Sequence, residues 1–243
     1  MGCLGALLVL AACNKQNADI SSPPLSDYFP LQVGKYIIYR IDSTALLPFG
    51  TGFIVRSYRV KDSVDAEIRD NTGRKAYRIY RFITDTAGVQ PYRYQTTVMA
   101  VPNGTDWIEY VDNNMRFMKL RWPILPTINW NGNSFFAASN SFYDGWTYQY
   151  DSIGKPYSLF GKTYDSTVKV LQRDTTYPPG PITRYTVYQQ YDYSVERYAK
   201  GIGLIYKEFF HYVYQGQDTS GQSAPPHYED ESYGLRLRII DHN

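Results

Sequence analysis

Acid–base or metal chemistry in this chain would have to come from His211, His227 and His242 and from scattered carboxylates. The histidines lack the i, i+4 spacing that sets two imidazoles on one helix face for zinc, and each reads as a surface residue. Glu229-Asp230-Glu231 beside His227 is a solvated loop run, so no metal site is assigned. Glu109 and Glu208 are acids of no special context, and glycoside hydrolysis needs two carboxyls within roughly 5–10 Å, which spacing alone does not supply. No G-x-S-x-G elbow is present, so no catalytic residue and no cofactor are assigned. The densest binding signal is Tyr185-Thr186-Val187-Tyr188-Gln189-Gln190-Tyr191-Asp192-Tyr193. Tyr185, Tyr188, Tyr191 and Tyr193 could stack on sugar rings while the neighbouring amides and carboxylate bond hydroxyls. The same tyrosines also serve plain cross-strand packing, at about 0.2–1 kcal/mol per pair, and packing is the more economical account.

The other residue with a chemical role is Cys13. Leu10-Ala11-Ala12-Cys13 follows a short apolar run, Leu4–Leu10, and precedes a polar, proline-containing segment. It resembles a bacterial lipobox, which implies diacylglyceryl transfer to the Cys13 thiol and cleavage before it. A membrane span would need about 20 apolar residues, and Asn14-Lys15-Gln16-Asn17 ends the run too early. Met1-Gly2-Cys3 lacks the Ser or Thr at position six of a myristoylation signal, having Ala6 there. No side-chain charge precedes Cys13, which points to a start upstream of Met1. Cys3 and Cys13 are the only cysteines, so the mature domain would hold no disulfide and no thiolate chemistry. Asn14, rather than Asp, after the lipidated cysteine resembles outer-membrane sorting, and the periplasmic side is expected over the cell surface.

Composition narrows the rest. Of 243 residues, 43% are hydrophobic, enough for one packed domain, and a net charge of +2 gives no reason to expect nucleic acid. Aromatic residues make up 16%, with 25 tyrosines, which suits pleated surfaces with one wet face.

The elements that would position these residues read as strands throughout. β-prone runs cover Tyr36–Ile41, Phe53–Val60, Lys75–Thr84, Tyr92–Val101, Trp107–Val111 and Met115–Trp122. Asp42-Ser43-Thr44, Asn71-Thr72-Gly73, Asn103-Gly104 and Asp112-Asn113-Asn114 punctuate them as strand ends and turns. Residues 123–140 read as a long loop packed by Trp122, Trp130, Phe135 and Phe136, and strands resume at Trp146–Ile153. Thr163–Leu171 alternates, with Tyr164, Val168 and Val170 on one face, and so does Leu235–Ile239, with Arg236 and Arg238 opposing three apolar residues. Thr183–Tyr198 and Leu204–Tyr214 flank Gly201-Ile202-Gly203, and 215–227 reads as an exposed loop. The expectation is a signal peptide at 1–12, a lipidated cysteine and flexible tether at 13–26, and an all-β antiparallel domain at 27–243. Its form would be a curved sheet, half-barrel, barrel or sandwich.

Two stretches resemble uncharacterised Bacteroidota outer-membrane lipoproteins: Tyr28-Phe29-Pro30-Leu31-Gln32-Val33-Gly34-Lys35-Tyr36 and Tyr198-Ala199-Lys200-Gly201-Ile202-Gly203-Leu204-Ile205-Tyr206-Lys207-Glu208. The resemblance implies structure rather than chemistry. The expected function is a non-catalytic envelope module, held to the membrane by its N-terminal lipid, that binds a protein partner or a glycan. A lipid or lipoprotein carrier is the alternative and would need a continuously apolar, unfilled sheet face. Arg78 and Arg81, on opposite faces of one predicted strand, speak against that. A hydrolase is the third reading.

Overall fold

A computed structural model describes residues 21–136, 141–217 and 225–243. The lipobox and Cys13 lie outside the described residues. The first part of the chain forms β1 (Tyr36–Leu46), β2 (Phe53–Arg69), β3 (Lys75–Thr84), β4 (Arg93–Asn103), β5 (Trp107–Asp112) and β6 (Met115–Arg121), each paired antiparallel with the one before. The second part forms β7 (Asn129–Trp130), β8 (Tyr148–Leu159), β9 (Lys162–Tyr177), β10 (Tyr188–Ala199), β11 (Gly203–Gln215), β12 (His227–Tyr228) and β13 (Tyr233–His242). β13 joins the halves by pairing with both β1 and β11, so one sheet runs β6-β5-β4-β3-β2-β1-β13-β11-β10-β9-β8-β7, with β12 added beside β11. The 13 strands form a nearly closed barrel.

Closure is made by specific bonds between the two ends of the sheet. The Met118 amide donates to the Gly132 carbonyl at 2.7 Å, and the Trp130 indole donates to the Met118 carbonyl at 2.8 Å. Next to them, the Tyr150 hydroxyl donates to the Arg121 carbonyl and accepts from the Arg121 amide at 3.0 Å. The edge strand β6 would otherwise present unpaired backbone groups.

The turns at Asn71-Thr72-Gly73, Asn103-Gly104 and Asp112-Asn113-Asn114 fall where the sequence placed them. Asn113 and Asn114 both take positive φ, 48° and 63°, in the tight β5–β6 hairpin. Among the described residues, the long loop before β8 holds the two-residue β7 and a single 3-10 turn at Ser141–Tyr143, and Trp130 is buried in the core. Several strands extend further than expected, and β1 and β2 show the physical reason. β1 continues through Asp42-Ser43-Thr44 because the Asp42 carboxylate accepts from Arg40 at 2.9 Å and Ser57 at 2.6 Å and pairs with Arg238, all on one sheet face. β2 runs on to Arg69, with a bulge at Asp65 that turns this carboxylate outward onto Arg78.

Alternation divides the barrel wall into two faces. The predicted apolar faces of β9 and β13 point inward: Tyr164, Val168 and Val170, and Leu237 and Ile239, are buried. One inner cluster gathers Tyr39, Ile41, Val60, Ile205, Leu237 and Ile239, and a second gathers Trp130, Trp146, Tyr148, Tyr150, Val168 and Val170. Packing begins ahead of residue 27. The Ser22 hydroxyl accepts from the Ile124 amide at 2.8 Å, and a single helical turn, Leu25–Tyr28, buries Leu25 and Tyr28 at one end of the barrel.

Candidate functional site

Two arrangements stand out, one on each face of the wall. The inner one is a cavity of about 170 Å³. Its walls include Ile37, Val64, Ile79, Leu204, Leu235 and Leu237, and Phe29, Pro30 and Leu31 lie along it as a strap. Phe29 packs on the rings of Tyr198 and Tyr110, with centroids 5.9 and 6.5 Å apart.

Charged residues interrupt the apolar wall. Arg81 and Asp62, directly opposite on β3 and β2, form a two-point pair with both bonds at 2.6 Å. Lys119 of β6 and Glu196 of β10 meet at 2.7 Å, and Lys207 of β11 approaches the same Glu196 oxygen at 3.3 Å. The second Glu196 oxygen accepts from the Tyr198 hydroxyl at 2.7 Å. Burial opposes the charge of Glu196, yet the two lysines and Tyr198 outweigh it and hold the carboxyl at about 2. Burial also acts on Lys119, and Lys207 adds repulsion; Glu196 offsets these only partly, leaving the ammonium at about 8. Burial pushes the hydroxyls of Tyr39, Tyr110 and Tyr198 well up, so all three are neutral donors.

The outer arrangement is an aromatic ladder. Tyr191 and Tyr193 project from β10 and stand opposite Tyr212 and Phe210 of β11. The Tyr191 and Tyr193 rings lie 6.3 Å apart and within 8° of parallel, and Tyr193 and Phe210 lie 6.3 Å apart at 19°. Phe53 and Tyr228 extend the row, each within 6.2 Å of Tyr212. Gly234 of β13 makes room for it. A Cβ there would lie 2.7 Å from both the Phe210 ring and the Tyr212 hydroxyl, so the rings lean across a bare backbone. Polar groups flank the row: Asp174 and Thr176 of β9 stand opposite Tyr193 and Tyr191, and Arg236 bonds Glu208 at 2.5 Å.

The four candidate tyrosines therefore separate. Tyr191 and Tyr193 share the ladder. Tyr188 faces the other way, its hydroxyl donating to Gln190 at 2.8 Å, and Tyr185 sits exposed in the preceding loop. Gln190 and Asp192 also point inward, because residues adjacent in a strand face opposite sides. They cannot serve a ligand stacked on Tyr191 and Tyr193. Their role is internal: Gln190 donates to Asp192 at 2.7 Å, and Asp192 meets the His211 Nδ1 at 2.6 Å. His211 is thus buried rather than at the surface, with the Phe142 ring edge-on at 4.7 Å. The cavity residues missed in the sequence are Lys119, Glu196 and Lys207, of which Lys119 lies 77 positions from Glu196. An isolated Lys or Glu at an inward strand position was the only signal available.

The remaining carboxylate candidates are already engaged. Glu109 is buried and held by Arg74 at 2.9 Å, by Arg116 and by the Trp107 indole at 2.9 Å, which together overcome its desolvation and lower its pKa. Glu208 is paired with Arg236. No group of three or more His, Cys, Asp or Glu side chains gathers as a metal site among the described residues. Among the same residues, no helix is long and apolar enough to cross a membrane.

The fold and its two faces define an antiparallel β-barrel with an ion-paired interior and an aromatic exterior stripe. No family model and no curated protein matches the chain. Two solved structures are similar over most of their length. One is a putative outer membrane lipoprotein-sorting protein domain from Vibrio parahaemolyticus, at 11% identity and a TM-score of 0.21, with 87% of this chain and 85% of that one covered. The other is a DUF1329 family protein from Desulfovibrio piger, at 10% identity and a TM-score of 0.18, covering 86% and 84%. Scores this low fall short of a shared fold, and nothing is carried over from either protein.

Proposed function

We propose that the chain is a non-catalytic envelope lipoprotein, tethered through Cys13 to the periplasmic side of the outer membrane, that binds a glycan along its outer aromatic ladder. The observation that carries the binding reading is the contiguous row Tyr191, Tyr193, Phe210 and Tyr212, flanked by the acceptor Asp174 and the hydroxyl of Thr176. Aromatic faces and edges with polar groups beside them match the alternating apolar and hydroxyl faces of a sugar chain. The lipobox resemblance at Leu10-Ala11-Ala12-Cys13 and the resemblance to Bacteroidota lipoproteins support the tether. The carrier alternative gains less support, because the inner face carries Asp62, Arg81, Lys119, Glu196 and Lys207 where an acyl carrier would be continuously apolar.

Affinity electrophoresis in gels containing β-glucan, xylan, mannan or solubilised peptidoglycan tests the reading. The wild-type protein is expected to be retarded in at least one gel. Tyr193→Ala combined with Phe210→Ala removes two stacking rings, about 1–3 kcal/mol, and weakens that retardation roughly 5- to 150-fold. Equal mobility of wild type and double variant in every gel would overturn it. The tether has a separate check: the intact mass of membrane-extracted protein should start at Cys13 with acyl additions.

A further inference from the structure

We infer that the outer face carries a second binding site, separate from the ladder, and that it takes a phosphate monoester. Register gives the position. Arg40 of β1 stands directly opposite both Arg59 of β2 and Arg238 of β13. Arg238 in turn stands opposite Tyr206 of β11, and Tyr206 opposite Arg197 of β10. Directly opposed residues share a face, so four arginines lie in one cross-strand row, which their like charges make unfavourable. The β8–β9 hairpin folds over part of that row and caps two of the four. The Tyr157 ring lies 4.2 Å from the Arg197 guanidinium, and the Phe160 ring 5.2 Å from that of Arg238. Arg40 and Arg59 are left without a ring. With Lys162 and Phe160 of the hairpin they line a cavity of about 300 Å³ whose walls hold no carboxylate.

Charge and free donors give the class of ligand. Around the cavity stand the cations Arg40, Arg59, Arg238 and Lys162, against the carboxylates Asp42 and Asp85, an excess of two positive charges. Both carboxylates are committed: Asp42 is shared by Arg40 and Arg238, and Asp85 accepts from the Gln90 amide of its own turn at 2.6 Å. The next charges along the strands cancel, because Lys61 and Asp241 meet at Tyr36 and Arg236 pairs with Glu208. Arg59 spends only its Nε, on the Thr86 carbonyl at 2.9 Å, so the N–H groups of both its Nη atoms have no partner among the described residues. Lys162 meets no acid there either, and lies 3.1 Å from the His242 Nε2. A phosphate monoester brings about 1.5–2 negative charges and three acceptor oxygens, which match both the excess and the unspent donors. Leu159, Phe160 and Ile240 supply apolar wall for the body of the ester, in a volume at the lower end of common ligand pockets, about 300–1,000 Å³.

The test is a titration of the full chain with phenyl phosphate, benzoate and phenol, followed by the histidine ring-proton and isoleucine methyl signals. Phenyl phosphate is expected to shift the His242 and Ile240 signals saturably and to leave those of His211 and His227 in place. Benzoate should bind at least fivefold more weakly, and phenol at least tenfold. Arg59→Gln and Lys162→Gln should each weaken phenyl phosphate at least fivefold. Lys169→Gln removes a charge opposite the capped Arg197 and should change binding less than twofold. Absence of a His242 shift, equal binding of benzoate or phenol, or an equal loss in Lys169→Gln would each overturn the inference. Should Arg59→Gln not fold, Lys162→Gln and the ligand comparison on the wild type still decide. Soluble dihexanoyl phosphatidate distinguishes the sources of the phosphate. Tighter binding than phenyl phosphate assigns a lipid headgroup, weaker binding assigns a free ester, and binding of neither removes the site. Phe53 of the ladder lies six residues from Arg59, about 20 Å along β2, so loss of glycan retardation in the ladder variant has no bearing on these signals and the two proposals fail separately.

Discussion

Strand β10 carries both arrangements, one on each face, and the two faces are stabilised in opposite ways. Inward, Gln190, Asp192, Glu196 and Tyr198 enter polar networks whose partners are buried and whose geometry is fixed. Outward, Tyr191 and Tyr193 sit among rings that touch side by side with solvent above them. A buried charge is costly unless its partner is present, so the inner face is intolerant of any single loss. A half-exposed ring loses only contact area when it is cut back. The same strand should therefore give large stability effects at 192, 194 and 196 and small ones at 191 and 193.

The sharpest break comes at Glu196. Glu196→Leu leaves Lys119 and Lys207 facing each other with no carboxylate between them, and breaking a buried pair in this way costs about 3–5 kcal/mol. The urea midpoint should fall accordingly, while Lys119→Met combined with Glu196→Leu should recover part of the loss. pH sharpens the same contrast. The Glu196 pKa is lowered from 4.5 to about 2 in the folded protein, so its stabilisation is complete above 4.5 and is lost as pH falls toward 2. Glu109 is also lowered and adds to this acid limb, so Glu196→Gln should flatten the limb without abolishing it. At the alkaline side the slope has the same sign, because there too the unfolded state holds the proton longer. Lys119 titrates at about 8 in the folded protein against 10.5 unfolded, so its contribution improves as pH rises through that window. Denaturation curves across pH would show both limbs.

A smaller effect is expected at the seam that closes the barrel. Tyr150→Phe removes a hydroxyl that both donates to and accepts from Arg121, leaving backbone groups of the edge strand unpaired at a cost of about 1–3 kcal/mol. Hydrogen exchange should speed up in β6 and hardly change in β1. Uniform acceleration across the sheet would show that closure and sheet are one cooperative unit.

Local pattern was legible in the sequence; long-range pairing was not. Alternation in Thr163–Leu171 and Leu235–Ile239 identified the inward faces, and Asp112-Asn113-Asn114 identified a hairpin, because each signal lies within a few residues. Asp42-Ser43-Thr44 looked like a strand end because an Asp is unfavourable in a strand until Arg40, Ser57 and Arg238 surround it. His211 looked like a surface residue because its partner, Asp192, lies 19 positions away in a neighbouring strand. The cavity is the extreme case: Lys119 and Glu196 are 77 positions apart, and nothing local marks either as buried. The tyrosine candidate set divides between faces for the same reason. A cluster in sequence is split by the two-residue period of a strand: Tyr191 and Tyr193 share one face, Tyr188 takes the other, and Tyr185 precedes the strand.

The smallest effect tests the outer face. Tyr193→Ala removes one ring and with it two contacts, to Phe210 across the strands and to Tyr191 along its own strand, each worth about 0.2–1 kcal/mol, so the urea midpoint should shift only slightly. Gly234→Ala acts on the same ladder from below. Its new methyl would lie 2.7 Å from the Phe210 ring and the Tyr212 hydroxyl, so both rings must tilt while the inner face keeps its contacts. Glycan retardation in the affinity gels should then drop more than stability does. If instead Gly234→Ala lowers stability by several kcal/mol and leaves glycan retardation unchanged, the ladder is packing for β13, and the two faces of the wall do the same job.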